Sequence, residues 1–459
     1  MKRNNVDMLS GSITKGLLAL AIPIMIMNVM QVIFNTIDLT SLRYLTNDNY
    51  SVGAVGAGGS LTVLCINFLL GISTGANVVV AKLVGSKEKE RSDRAVMTAI
   101  LLAVFGGITL MILGATFAET LLKMINCPEI LLPKATIYFK LYCCSIPPLM
   151  LYNFSASILR AIGNTKKPMY FLILGGIIKV VFTALLISLF DWTVEGVGIA
   201  TIIANVTTAS LAFTTLLKSK EYINFDFKKI RFDLKELKDL LHVGVPAGLQ
   251  STLYAFANVV IVTAVNSFGE DATTGVSIAN QFDGILYQIV LAPAYATAPY
   301  IAQNVGAKNF KRVKQAIMQA IFITIGFGAT FGFLSAFFSR ELSSIMTSSP
   351  SIIEFSRQKM IIVSSTYFIC GLNEVMSGVL RGIGKPTLPT IFSFLFLCVL
   401  RFIWVYTVFP LFPNLTFLYT VWPIGWILAF ICAVITFFIA FPKLVKRNSQ
   451  NTPKSVMEA

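Results

Sequence analysis

Twelve stretches of about 20 mainly apolar residues recur along this chain, each long enough to cross the hydrocarbon core of a bilayer as a helix. They lie at 16–38, 52–81, 95–117, 135–158, 168–190, 195–217, 243–267, 274–303, 316–338, 356–380, 387–410 and 418–442. Charged residues make up 13% of the 459 residues and hydrophobic ones 55%, where a soluble domain carries about 25% charge. Lipid is therefore the expected solvent for most of the molecule. The predicted class is an all-α membrane protein of twelve transmembrane helices. The first apolar run, Leu17 to Ile37, is too long for a signal-peptide core and reads as a retained first helix.

The formal net charge of +15 raises the question of nucleic acid, and the positions of the charges answer it. Of the 37 basic residues, 28 fall in alternate connecting segments, with Lys82, Lys87, Lys89, Arg91 and Arg94 in one of them. Such a bias reports orientation and contact with anionic headgroups. It predicts a multi-pass protein of a prokaryotic plasma (inner) membrane with both termini in the cytoplasm, membrane lipids as partners and no nucleic acid. Seven more are counted on the opposite side, and two, Lys179 and Arg401, within spans.

The chain also repeats itself. LRAIGNTKKP at 159–168 returns as LRGIGKPTLP at 380–389, a displacement of 221 residues, and LVG at 83–85 returns as NVG at 304–306. Pro23 in LAIP meets Pro246 in VGVP with a drift of two. Several matches in one order indicate duplication. Six spans per copy means that both copies enter the membrane in the same sense, as parallel repeats. The predicted organisation is an N-lobe at 1–217, a cytoplasmic linker at 218–242, a C-lobe at 243–442 and a tail at 443–459.

Other chemistry is poorly supplied. The seven cysteines lie mostly in apolar stretches without zinc-site spacing, and a single histidine, His242, cannot build a multi-histidine metal centre. There is no GxxxxGK[ST] loop and no HExxH. Neither an enzyme nor a resident cofactor or metal is expected. Glycine-rich VGAVGAGGS at 52–60 reads as close helix packing.

With early prolines in helices 1 and 7 and the LRxxG(D/N)xxxP-like segments after helices 4 and 10, the chain resembles the MATE multidrug and toxin extrusion family. That family shares a superfamily with lipid-linked oligosaccharide flippases. The resemblance covers about Leu17 to Lys443. It implies two six-helix lobes in a V around a central cavity and export by alternating access against a proton or sodium gradient. The implied substrate is a small amphipathic, cationic compound, carried by a monomer; a lipid-linked or amphiphilic substrate moved by a flippase is the alternative.

Ionisable residues inside spans cost about 2.5–3.5 kcal/mol each at a helix centre and so face cavities or partners. Asp38, at the far end of helix 1, is the first. The resemblance implies a coupling carboxylate here, although the family's VDTxFVGxLG-like segment reads IDLTSLRYLT in this chain. Lys179 lies 11 residues beyond Pro168, roughly 16 Å along a helix and near mid-bilayer. Relatives often carry NxxxD where this chain has Lys179 and Thr183, a change that opposes sodium binding and favours H+. An Asp38–Lys179 pair that trades partners with a proton is the expectation, a structural salt bridge its rival. Tyr138, Asn153, Thr201 and Asn205 are candidates to line the N-lobe cavity. The C-lobe offers Gln250, Asp283, Glu374 and Arg401, with Glu374 equivalent to Asn153 and Arg401 expected to pair with Glu374 or Asp283.

Overall fold

A chain in hydrocarbon must satisfy its backbone hydrogen bonds internally, and this one does so with helices. The computed structural model describes residues 5–45, 49–190, 192–220 and 232–450, and the side chains of 35, 38–45, 49, 52, 60, 63, 64, 255 and 256 within helices lie outside the described residues. No strand occurs among the described residues.

The first half consists of α1 (Ile13–Leu45), α2 (Asn49–Gly85), α3 (Lys89–Thr116), the short α4 (Ala118–Met124), α5 (Leu132–Ala161), α6 (Lys166–Phe190) and α7 (Val194–Leu217). The second consists of α8 (Leu234–Asn266), α9 (Glu270–Gly306), α10 (Phe310–Phe337), the short α11 (Ser339–Ser344), α12 (Pro350–Ser365) and α13 (Tyr367–Gly382). It continues through α14 (Thr387–Ser393), a π-helical turn at Phe394–Val399, α15 (Leu400–Ile403) and a second π turn at Trp404–Val408. The last elements are α16 (Leu415–Tyr419) and α17 (Val421–Gln450).

Among the described residues ten helical segments are long and apolar enough to cross a membrane, and α12 with α13 forms an eleventh, bent by 43°. The remaining helix of spanning length, α5, has 30 residues and carries Lys134, Lys140 and Arg160, which dilute its apolar character. It packs against α3 and α7 nonetheless, giving twelve passes. The helices outrun the apolar stretches that announced them. Residues 234–242, read above as linker, are the first turns of α8, and 221–231 lie outside the described residues.

Duplication is written into the helix ends. Ile13–Leu45 and Leu234–Asn266, Asn49–Gly85 and Glu270–Gly306, and Lys89–Thr116 and Phe310–Phe337 are each displaced by 221 residues at both ends. The prolines are not in register: Pro23 occupies the position of Gly244. The repeated LRxxG motif is a helix C-terminus. Gly163 and Gly384 have φ of 86° and 84°, the left-handed conformation that glycine adopts most easily. Asn164 N donates to Leu159 O at 2.8 Å, and Lys385 N to Leu380 O at 2.8 Å.

The contacts divide the chain into two compact units. One comprises Met1–Val6, Ile26–Val84 and Glu88–Gly248, the other Asp7–Met25, Gly85–Lys87 and Leu249–Ala459. In the first unit, α2 and the start of α8 meet through two GxxxG pairs. A Cβ added to Gly71 would fall 2.1 Å from Gly248 Cα, and one added to Gly75 would fall 2.2 Å from Leu240 O, so only small residues permit the approach. Arg91 on α3 fixes the same segment: its Nε donates to Glu236 at 2.9 Å, and it pairs with Glu88 and Asp239 at 3.1 and 3.5 Å.

The two motif glycines separate two costs. At Gly384 an added Cβ meets nothing within 4 Å, whereas at Gly163 it falls 2.3 Å from Val6 O. Gly384→Ala should lose about 1–2 kcal/mol, the left-handed penalty alone. Gly163→Ala should lose more, because Val6 must also move. Thermal unfolding of both variants in detergent checks the order; equal losses would contradict it.

Candidate functional site

Within the second unit each of several helices carries one polar stripe. On α8 the stripe is Gln250, Tyr254 and Asn258, spaced i, i+4, i+8; on α9 it is Asn280, Asp283 and Tyr287, spaced i, i+3, i+7. Such spacing puts side chains on one helix face. Lys359 arrives from α12, Glu374 from α13, Arg401 from the short α15 between two π turns, and Trp422 from α17.

Lys359 is the residue that sequence reasoning missed. It is 2% exposed; its ammonium lies 2.8 Å from Asp283 Oδ2 and donates to Asn280 Oδ1. Ser364 donates to the other carboxylate oxygen at 3.2 Å. Arg401, also 2% exposed, donates to Asn258 Oδ1 at 2.8 Å, and its Nε finds no hydrogen-bond partner among the described residues. Both cations sit against one indole, Lys359 Nζ 5.8 Å and Arg401 Cζ 5.0 Å from the Trp422 ring centroid, an arrangement stabilised by the ring quadrupole.

The expected pairing of Arg401 with Glu374 or Asp283 is thus corrected. Asp283 is taken by Lys359, and Glu374 accepts a hydrogen bond from the Tyr254 hydroxyl, on which Asn373 Nδ2 converges at 3.4 Å. Glu374 is buried and forms no ion pair among the described residues. Tyr254 packs against Tyr287 at 6.4 Å between centroids. Gln250 accepts from Arg381 at 3.0 Å, one helical face below.

In the first unit, Tyr138 and Asn153 are buried on α5 and Thr201 on α7, and Asn205 is half-buried on α7. Gly58, within the glycine-rich stretch, makes room for Tyr138: a Cβ there would fall 2.8 Å from its ring. Thr201 donates to Val197 O at 2.8 Å. On α6, Lys179 is half-buried, and Thr183 is wholly buried with its hydroxyl unpartnered among the described residues. The side chain of Asp38 lies outside the described residues.

The 221-residue displacement carries Tyr138 onto Lys359, Asn153 onto Glu374, Thr201 onto Trp422 and Asn205 onto Trp426. All four equivalents line the second unit's cluster or its edge, Trp426 packing on Tyr367 at 5.3 Å. That register is the signal that could have found Lys359.

Two repeats of long apolar helices with buried charges in mid-helix fit a secondary transporter. Comparison with known proteins makes the assignment specific. The MatE family model matches residues 23–185 and again 246–407, one match per repeat; the chain belongs to the MATE family of transporters and is not an enzyme. Among relatives, the probable multidrug resistance protein YoeA of Bacillus subtilis is 26% identical over 391 residues, 83% of this chain and 84% of that one. The FAD transporter of Shewanella oneidensis is 24% identical over 387 residues, with 83% and 84% covered. The fold matches that of a MOP superfamily transporter from Pyrococcus furiosus, with TM-score 0.87 and 21% identity over 96% of this chain and 98% of that one.

The Lys359–Asp283 pair makes a sharp energetic prediction. Lys359→Met strands a buried carboxylate and Asp283→Leu a buried ammonium, so each should cost about 3–5 kcal/mol. The double variant should recover most of that loss, because an apolar pair needs no compensation. Unfolding in detergent decides, and a double variant no better than the worse single one contradicts the pairing.

Proposed function

We propose that this chain exports small amphipathic, cationic organic compounds by alternating access in antiport with H+, from a prokaryotic plasma membrane with both termini in the cytoplasm. Glu374 carries the substrate half of this reading. A buried carboxylate that forms no ion pair among the described residues and accepts from the Tyr254 hydroxyl, whose ring packs on Tyr287, offers a cation charge with π-surface close by. Lys359 and Arg401 are spoken for by Asp283, Asn258 and Trp422 and do not compete for it. The names of relatives such as the Bacillus protein agree with drug export.

The coupling half rests on Asp38, Lys179 and Thr183. Phe34 of α1 lies so close to Gly176 of α6 that a Cβ on the glycine would fall 1.9 Å from its ring. Asp38 follows Phe34 by four residues, and Lys179 follows Gly176 by three. We take these two residues, each about one turn along its own helix from this contact, as the coupling pair. An ammonium at 179 and a hydroxyl at 183 give sodium too few oxygen ligands and leave H+ as the coupling ion; sodium is the outcome that would correct this. Small-molecule substrate and membrane lipid are the partners of this reading, and it needs no cofactor.

One observation favours a second reading. Arg401 has no carboxylate partner among the described residues, which suits an anionic, lipid-linked substrate moved by a flippase.

Efflux of a fluorescent cation from proteoliposomes under separately imposed gradients tests both halves. A pH gradient should drive efflux, and a sodium gradient at constant pH should not. Glu374→Gln should slow transport of the cation at least about tenfold, the loss expected for one charge-assisted contact. Full activity in Lys179→Asn would remove the coupling proposal. Failure to move any cationic compound, with lipid-linked sugar transported instead, would favour the flippase.

A further inference from the structure

The third helix of each repeat opens with an arginine at the same place, Arg91 in α3 and Arg312 in α10. Arg91 is met by three carboxylates. Among the described residues no carboxylate pairs with Arg312: its Nε donates to Met8 O at 3.0 Å, and its terminal nitrogens donate to Gly11 O at 2.9 Å, Ser10 O at 2.6 Å and the Tyr300 hydroxyl at 2.7 Å. Four of its five N–H groups are thereby used, while the positive charge stays unneutralised by these partners. Asn304 also donates to Met8 O, at 3.0 Å, so the chain before α1 is firmly seated.

Between that seated segment and α10 lies an open groove of about 680 Å³, with Arg312, Gln315 and Gln319 along one wall and Ser12 and Thr14 along the other. Thr14 donates to Gln319 Oε1. Further along the same face of α10 the wall turns apolar, with Met318 and Phe322 55% and 65% exposed. Lys311 and Lys314, exposed, flank the polar end. Polar residues at 315 and 319 on a face that continues as exposed Met318 and Phe322 describe a surface that is charged at the membrane boundary and apolar within it.

We infer that this groove binds one anionic phospholipid from the leaflet beside the basic loops, its phosphate at Arg312 and the polar wall, one acyl chain along Met318 and Phe322. The remaining Arg312 donor and the neighbouring lysines supply the attraction, and the glutamines and hydroxyls supply donors to the glycerol and ester oxygens. A zwitterionic lipid meets the same apolar wall without the gain in charge. Free phosphate meets the charge but leaves Met318 and Phe322 uncovered.

The test places a tryptophan at Met318, and in a control at Phe333, exposed on the same helix 15 residues further on. Each protein is reconstituted with dibrominated phosphatidylglycerol or dibrominated phosphatidylcholine, and fluorescence quenching is compared. At position 318 phosphatidylglycerol should be preferred about fivefold, as expected for one basic residue meeting an anionic headgroup; at 333 no preference is expected. Arg312→Gln should abolish the preference at 318 and leave 333 unchanged. Equal quenching by the two lipids at 318 with Arg312 intact overturns the inference, whether or not the Arg312 variant folds. Loss of the preference on adding excess glycerol phosphate would also overturn it, since the site would then read a soluble anion.

Discussion

The cost of an ion in a low-dielectric interior governs how this molecule is arranged. Lys359 and Arg401 are each 2% exposed, and neither could remain charged there without partners close enough to replace water. Lys359 answers with Asp283 and Asn280, Arg401 with Asn258, and both with the face of Trp422. Five helical elements must converge for this to happen. The charges thus specify the packing of α8, α9, α12, α15 and α17 at least as much as the apolar surfaces around them do, because hydrocarbon gives apolar side chains little reason to prefer a neighbouring helix over lipid.

Duplication supplied one scaffold, and divergence gave its halves different electrostatics. At equivalent positions the first repeat has Tyr138, Asn153, Thr201 and Asn205 where the second has Lys359, Glu374, Trp422 and Trp426. The position of Asp283 is Thr62 in the first repeat, a buried residue whose hydroxyl turns back to Gly58 O at 2.6 Å. The acid and base are thus both present in the second repeat and both absent from the equivalent positions of the first, and either alone would strand a charge. Arg91 and Arg312 show the converse: the cation is common to both repeats, but carboxylates meet it in one and main-chain carbonyls in the other.

Much of this was legible in the sequence. Span length and basic loops announce twelve passes, and LRAIGN with LRGIGK announces two repeats, whose first three helices agree to the residue at both ends. What stayed hidden was whatever depends on neighbours remote in the chain. Lys359 counts with the connecting charges although it lies at the start of the 356–380 stretch, close to polar Ser351, Glu354 and Ser356. Nothing local reveals the bend that divides that stretch into α12 and α13. Arg401 was visible as an intramembrane cation, but its partner was not, since an asparagine 143 residues away carries no charge to draw attention. The first-half candidates could be named from polarity alone; their convergence in the second half follows only from the register.

The bend between α12 and α13 shows how the fold tolerates an interruption that lipid should forbid. Breaking a helix in hydrocarbon frees carbonyls that have no water to meet. Here the Thr366 hydroxyl donates to Ile362 O at 2.8 Å and the Ser365 hydroxyl to Ile361 O, so the end of α12 is capped by its own side chains. Pro147 and Pro148 occupy the matching stretch of α5, where proline removes backbone donors and so also interrupts the ladder. The consequence is mechanical. Lys359 on α12 is tied to α9 through a buried ion pair, and separating those helices would strand both charges at a cost of several kcal/mol. Glu374 lies beyond the bend, where it accepts a hydrogen bond from the Tyr254 hydroxyl and forms no ion pair among the described residues. The second repeat therefore holds α12 to α9 by charge and holds α13, across the bend, by close packing against α9, α10 and α17.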